Sequence, residues 1–333
     1  MQPLFLIQSH KEPAQLARLA RVLRRGVPAC HVLVSHDIRA APLPASTFGG
    51  DPRVHVIDGK GGRGDFEILD GYLAALRWAR DHIDYDWVTN LSGQDYPVAS
   101  LAAFAAELAS ANHDGFLHHF DAVRQNEDQM RPMHWPPGHG HSRYYFQYTK
   151  VKDSAGVVER AALKLPRVAF DRFDAPFRIN TAYGLLFGRR ATAPPFTDRF
   201  RCYAGSYWHT MRRACADYLL GFVALNADIV GYMRRVLIPD ESFVQTVLLN
   251  EPGFRFVNDN RRYYDMRGSR RGHPQALTAA DAPAFLGKNY VFARKFEVTN
   301  GAAFFDRLDH IALSPAGHPA EAFTRPAAAA PAL

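Results

Sequence analysis

The sequence predicts an α/β fold. Short β-like runs alternate with helix-like segments through its first half, 47% of its residues are hydrophobic as in a chain that buries a full core, and no internal repeat breaks the order. Leu4 to Gln8 reads as a strand. Pro13 opens a helix in which Leu16, Leu19, Ala20 and Leu23 recur at i, i+3, i+4 and i+7, and Gly26 closes it. His31 to Val34 and Val54 to Ile57 follow as strands. Asp65 caps a helix with Leu69, Leu73, Leu76 and Ala79 inward, and Trp87 to Leu91 is the next strand, giving a βαβ-like order. Leu101 to Leu108 reads as helix and Gly115 to Phe120 as extended chain. Gln125 to Arg143 mixes Pro136-Pro137, glycine and histidines without a period, a long aromatic and polar loop suited to touching a ligand. Further on, Tyr183 to Phe187 reads as strand, and Trp208 to Ala224, Asp240 to Leu249 and Ala302 to Leu308 read as helices. The tail from Pro315 is Ala/Pro-rich and expected to fray.

Composition narrows the function classes. The formal charge of +7 over 333 residues is concentrated in arginine pairs: Arg24-Arg25, Arg189-Arg190, Arg212-Arg213, Arg234-Arg235, Arg261-Arg262 and Arg270-Arg271. That balance suits a phosphate-bearing substrate, an anionic membrane surface or nucleic acid. The absence of a helix-turn-helix, zinc-finger or RNP-like signature argues against nucleic acid. No run approaches the roughly 18 apolar residues of a membrane span, and Leu4 to Ile7 is too short for a signal peptide, so the chain reads as cytoplasmic. Cys30, Cys202 and Cys215 are odd in number and lack metal-ligand spacing, which points to buried thiols. The histidines His118, His119, His134, His139 and His141 have no regular ligand spacing either.

Three segments carry candidate chemistry. Leu91-Ser92-Gly93-Gln94-Asp95-Tyr96-Pro97 leaves a strand and enters a helix, the place where open α/β sheets bind ligands; it also fits an ordinary turn stiffened by Asp95 and Pro97. Pro239-Asp240-Glu241-Ser242 opens a helix whose Phe243, Val244, Val247 and Leu248 form the buried stripe. Glu241 falls in the first turn off that stripe, where the helix dipole favours an ionised base; a simple acid at a helix start fits equally. Phe292-Ala293-Arg294-Lys295-Phe296 sets two cations between aromatics, downstream of Arg261-Arg262. Fixed cations neutralise a leaving diphosphate as a metal would, although a solvated surface pair has the same spacing.

These segments, with Phe5-Leu6-Ile7-Gln8-Ser9-His10-Lys11 and Gly205-Ser206-Tyr207-Trp208, resemble in their order the core-2/I-branching N-acetylglucosaminyltransferase and peptide O-xylosyltransferase family, glycosyltransferase family 14, over about residues 3 to 310. The resemblance implies a GT-A type mixed sheet flanked by helices in a single catalytic domain. Residues 1–310 would form it, with a nucleotide-binding half of about 1–120 and an acceptor half of about 121–310, leaving 311–333 as a flexible tail. It implies inverting, metal-independent transfer of N-acetylglucosamine or xylose from a UDP donor to a glycan, lipid-linked or peptide hydroxyl, without a cofactor. Glu241 takes the family's catalytic-base position, and Arg262 and Lys295 its diphosphate-binding positions. Ser9, Asp37, Asp65 and Phe66 would bind the nucleotide; Gln94, Asp95, Tyr207 and Trp208 would bind sugar or acceptor. Some relatives carry Trp at Phe66 and Asp at Tyr207. The animal enzymes are membrane-anchored and disulfide-bonded, whereas this chain resembles a soluble bacterial version acting on surface polysaccharide at the inner membrane face. Two alternatives accompany this reading. One is a metal-dependent GT-A enzyme using Asp84 and Asp86, residues that otherwise read as a helix-to-strand turn; the other is a catalytically silent sugar-binding scaffold.

Overall fold

A computed structural model describes residues 1–62, 64–124, 135, 138–267, 274–297 and 301–315. Arg270-Arg271, His134, most of the Gln125 to Arg143 loop and the tail from residue 316 lie outside the described residues. The chain forms two compact units, each discontinuous in sequence. The first comprises Met1–Gly59, His82–Asn112 and Asn260–Leu333; the second comprises Lys60–Asp81 and His113–Asp259.

The first unit is built on four parallel strands in the order Val54–Asp58, His31–His36, Pro3–Ser9, Trp87–Ser92. Leu4 to Ile7 are fully buried without alternation, as parallel strands covered on both faces require. The helix Pro13–Gly26 buries Leu16, Leu19 and Leu23, the spacing read from the sequence. A smaller sheet pairs Phe292–Arg294 in parallel with Arg262–Tyr264 and antiparallel with Tyr96–Pro97. The helix Ala302–Ala312 closes this end. Phe305 meets Tyr96 edge to face, the Tyr96 hydroxyl donates to Asp309, and Arg18 of the first helix donates to Asp306 and Asp309 at 2.5 and 2.7 Å.

In the second unit His209–Arg212 runs antiparallel to Gly115–Leu117, and Phe256–Val257 runs parallel to it. The helix beginning at Glu67 contributes buried Leu69, Leu73, Leu76 and Ala79. A separate antiparallel sheet joins Phe146–Lys152, Leu185–Arg190 and Phe177–Asn180. Parallel and antiparallel strands with flanking helices give the α/β class read from the sequence.

Two expected helices differ. Trp208 to Ala224 begins as the strand His209–Arg212 and turns helical only at Arg213–Leu225, because His209, Thr210 and Met211 are buried in ladder pairing that overrides local propensity. Asp240 to Leu249 is split into a 3-10 turn, Pro239–Glu241, and an α-helix, Phe243–Leu249. Ser242 breaks it at φ −145°, ψ −40°, with its hydroxyl donating to the Tyr203 carbonyl at 2.7 Å. All three cysteines are unbridged and buried; burial raises the Cys30 thiol to about 11 and those of Cys202 and Cys215 to about 12. No single helix among the described residues is long and apolar enough to cross a membrane.

Candidate active site

In the second unit the segment from Ile238 to Phe243 organises its neighbours around Glu241. The break at Ser242 places Glu241 in the 3-10 turn and outside the first turn of the α-helix, so the helix dipole is not its partner. Its partner is Arg143, whose Nη1 donates to Glu241 Oε2 at 2.5 Å. The Arg143 side chain is 10% exposed and the Glu241 carboxylate 27%, so the cation lies behind and the anion faces water. The guanidinium also lies 4.2 Å over the Trp135 ring, a contact that fixes its plane. Burial opposes the Arg143 charge, but Glu241, Tyr144 and Tyr183 more than offset it, and its pKa is raised. Asp240, next door, behaves oppositely: burial first and the Glu241 charge second push its carboxyl up to about 7. Its Oδ1 is covered and has no hydrogen-bond partner, which disfavours its anion.

The Gly205-Ser206-Tyr207-Trp208 segment is tied to the same turn. The Gly205 N–H donates to the Glu241 carbonyl at 2.8 Å, and Gln245 Nε2 donates to the Ser206 carbonyl at 2.6 Å. Glycine is required there because a Cβ at Gly205 would stand 1.9 Å from the His118 carbonyl oxygen. Gly205→Ala should therefore cost about 3 kcal/mol, at the upper end of ordinary overpacking, and lower the melting temperature of the purified chain. Tyr207 and Trp208 are buried; Tyr207 packs edge to face on Tyr72 and Trp208. They shape the wall behind the turn.

Gly64-Asp65-Phe66 also belongs to this cluster. Gly64 accepts the Ile238 N–H at 3.0 Å, and Phe66 is buried edge to face on Phe243 beneath the Arg234 guanidinium. Asp65 pairs with Lys150 at 2.9 Å and accepts the Glu67 N–H at 3.3 Å at the start of the helix. Asp65 and Phe66 thus stand with Glu241, and Phe66 supports the turn from the core.

In the first unit the carboxyl ends of the parallel strands gather a second set. Ser9 Oγ bonds His36 Nδ1 at 2.8 Å, the Asp37 N–H donates to the Ser9 carbonyl at 2.9 Å, and the Asp37 carboxylate receives the Arg39 side chain. Gln94 accepts the Phe296 N–H at 2.9 Å, which fastens the Arg294-Lys295-Phe296 segment to the end of the strand Trp87–Ser92. Lys295 is 22% exposed and pairs with Glu297 at 2.9 Å. His10 senses this edge: burial, then Lys11, with smaller contributions from His36 and Lys295, outweigh Asp37 and lower its pKa. The parallel edge therefore brings Ser9, Asp37, Gln94 and Lys295 together.

Asp95 and Arg262 are placed differently. Asp95 is fully buried and accepts from the Ser92 N–H and hydroxyl, so it locks the turn from within. Arg262 is 3% exposed; its guanidinium lies 4.5 Å over Phe292 and donates to the carbonyls of Asn90 and Asn260 at 3.2 and 3.3 Å. Its neighbour Arg261 pairs with Glu107 at 2.7 Å. Asp86 accepts the Gln2 N–H at 2.6 Å. Among the described residues no group of three or more His, Cys, Asp or Glu is placed to hold a metal ion.

Sequence reasoning missed Arg143, Asp240 and His10 as functional candidates. Arg143 lies 98 residues from Glu241, and no local pattern announces the pair. Asp240 and His10 lie inside the motifs Pro239-Asp240-Glu241-Ser242 and Phe5-Leu6-Ile7-Gln8-Ser9-His10-Lys11, and their adjacency to Glu241 and Lys11 was the available signal.

No protein-family model matches the chain. Among curated proteins it is 25% identical over 239 residues to the beta-glucuronosyltransferase GlcAT14A of Arabidopsis thaliana, covering 70% of this chain and 44% of that protein. It is 23% identical over 239 residues to GlcAT14B of the same plant, covering 70% of this chain and 46% of the relative. The chain is similar to these two beta-glucuronosyltransferases, and that similarity supports glycosyltransferase family 14. The match spans less than half the length of these family 14 relatives. Among solved structures, a galactosyltransferase, LgtC, in complex with donor and acceptor sugar analogs aligns over 95% of this chain and 97% of its own, at 13% identity and a TM-score of 0.36. A likeness of that size carries no functional weight.

Proposed function

We propose that this family 14 homologue is a glycosyltransferase of the GT-A type, inverting and metal-independent, that moves a sugar from a UDP donor to an acceptor hydroxyl with β linkage. The observation that carries the reading is the kinship with beta-glucuronosyltransferases along 70% of the chain. The Glu241 turn supports it, because a partly exposed carboxylate backed by a buried cation suits a base that receives a proton from an alcohol. In this reaction Glu241 takes the acceptor proton as the oxygen attacks the anomeric carbon. The bond to the diphosphate breaks, its electron pair leaves with UDP, and attack opposite the leaving group inverts configuration.

Lys295 balances the charge on departing UDP, and Arg262 adds fixed positive charge from inside its unit. Ser9 and Asp37 hold the nucleoside, and Gln94 lies beside the sugar. Tyr207, Trp208, Asp65 and Phe66 shape the surroundings of the base. The relatives' names add glucuronic acid to N-acetylglucosamine and xylose as donor sugars. A glycan or lipid-linked acceptor in surface polysaccharide synthesis fits the reading.

Thermal stabilisation by UDP-glucuronic acid, UDP-N-acetylglucosamine and UDP-xylose tests the donor class directly, since a ligand that binds the native state raises the melting temperature. Stabilisation by none of them sinks the proposal. Lys295→Ala should weaken UDP affinity about tenfold by calorimetry and slow transfer as well, because one charge-assisted contact is lost. Transfer should survive EDTA; loss that manganese restores would favour Asp84 and Asp86 as metal ligands instead.

A further inference from the structure

The segment from Val157 to Phe173 exposes large apolar side chains that the proposed chemistry does not use. Val157, Val158, Leu165 and Phe173 are 82, 81, 79 and 77% exposed, and Val168 is 51% exposed. The α-helices Val157–Ala162 and Lys164–Arg172 form the segment, and their inner side is accounted for: Leu163 and Phe170, seven residues apart, pack on Ala155, Ile179 and Leu185. Leu165, Val168 and Arg172, at i, i+3 and i+7, share the opposite face. An outward apolar stripe of this kind marks an interaction surface.

Charge selects the occupant. Residues 150 to 190 contain nine Lys or Arg and four Asp or Glu. Each of the four acids is held in an ion pair: Asp153 by Lys150, Glu159 by Lys152, Asp171 by Arg178, and Asp174 by Arg178 and Arg190. Lys164, Arg172 and Arg189 are exposed and have no carboxylate partner among the described residues. The uncompensated charge on this stretch of chain is therefore positive. A second copy docking by the same face would set these cations against their own images, since a two-fold interface is self-complementary.

We propose that the helix pair Val157–Arg172, with Phe173, docks on an anionic lipid surface. Its apolar side chains enter the headgroup boundary, and Lys164, Arg172 and Arg189 contact the anionic headgroups. This surface is independent of the assignment of glycosyl transfer.

The test is cosedimentation of the full chain with vesicles of phosphatidylcholine, alone or with about 30% phosphatidylglycerol, at low and high salt. The chain should pellet with the anionic vesicles at low salt and stay in solution with the neutral ones. Leu165→Glu with Phe173→Glu, and separately Lys164→Glu with Arg172→Glu, should each weaken binding at least about tenfold, at unchanged melting temperature because all four side chains are exposed. The proposal is overturned if the wild type pellets with neither vesicle, if both pairs of substitutions leave binding intact, or if the wild type is a dimer that ignores vesicles and that Leu165→Glu with Phe173→Glu converts to a monomer.

Discussion

Glu241→Gln is expected to lower the turnover number about a hundred- to ten-thousand-fold, the range removed with a general base, while UDP affinity stays within about twofold. Glutamine keeps an oxygen that accepts the Arg143 Nη1 bond, so the turn survives and the loss is chemical. Glu241→Ala differs in kind. It leaves the guanidinium of Arg143, 10% exposed, without even the acceptor that glutamine retains, and costs about 3 kcal/mol or more in stability. Turnover and UDP calorimetry on both variants, with melting curves, separate the roles. A glutamine variant that retains near-normal turnover would remove Glu241 from the reaction.

Arg143→Ala should have the second-largest effect. The carboxylate loses the donor that fixes its orientation, and Trp135 loses the cation stacked at 4.2 Å. The turnover number should fall about a hundredfold with a smaller change in KM, because a misdirected base is felt mainly in the transition state. Added guanidinium ion at millimolar concentration should restore part of the rate by occupying the vacated space. Arg143→Lys should recover less than the rescue does, since an ammonium offers neither the plane that stacks on Trp135 nor the fork that meets the carboxylate. Equal losses in both variants with no rescue would assign Arg143 to stability alone.

Much of the first unit was legible because its signals are local. Leu4 to Ile7 form an apolar run between Pro3 and Gln8, and the helix from Pro13 to Gly26 has a clean period and both end signals. The segment order likewise singled out Glu241, Lys295 and Ser9 as candidates, and the family resemblance added Asp37. Facts that depend on distant partners were not legible. The polar and mixed sequence of residues 209 to 212 carries no strand alternation, and ladder pairing such as that with Gly115–Leu117 makes it a strand. Ser242 looks like an ordinary helix residue until its hydroxyl finds the Tyr203 carbonyl. Burial was hidden for the same reason. Phe66, Tyr207 and Arg262 read as contact residues from their motifs, yet each is enclosed by side chains or carbonyls far away in sequence, and the equally buried Asp95 lies 3.6 Å from the Arg294 guanidinium.

The pairing of Tyr96–Pro97 with Phe292–Arg294 has a consequence for biosynthesis. An emerging chain displays Tyr96 and Pro97 nearly two hundred residues before their sheet partner leaves the ribosome, and the acids that Arg18 requires come later still. Until then the early strands hold an unfinished edge that invites pairing with other nascent chains, so the organism making this protein must shield it or synthesise it quickly. Truncation anywhere before Phe292 leaves that edge open for good.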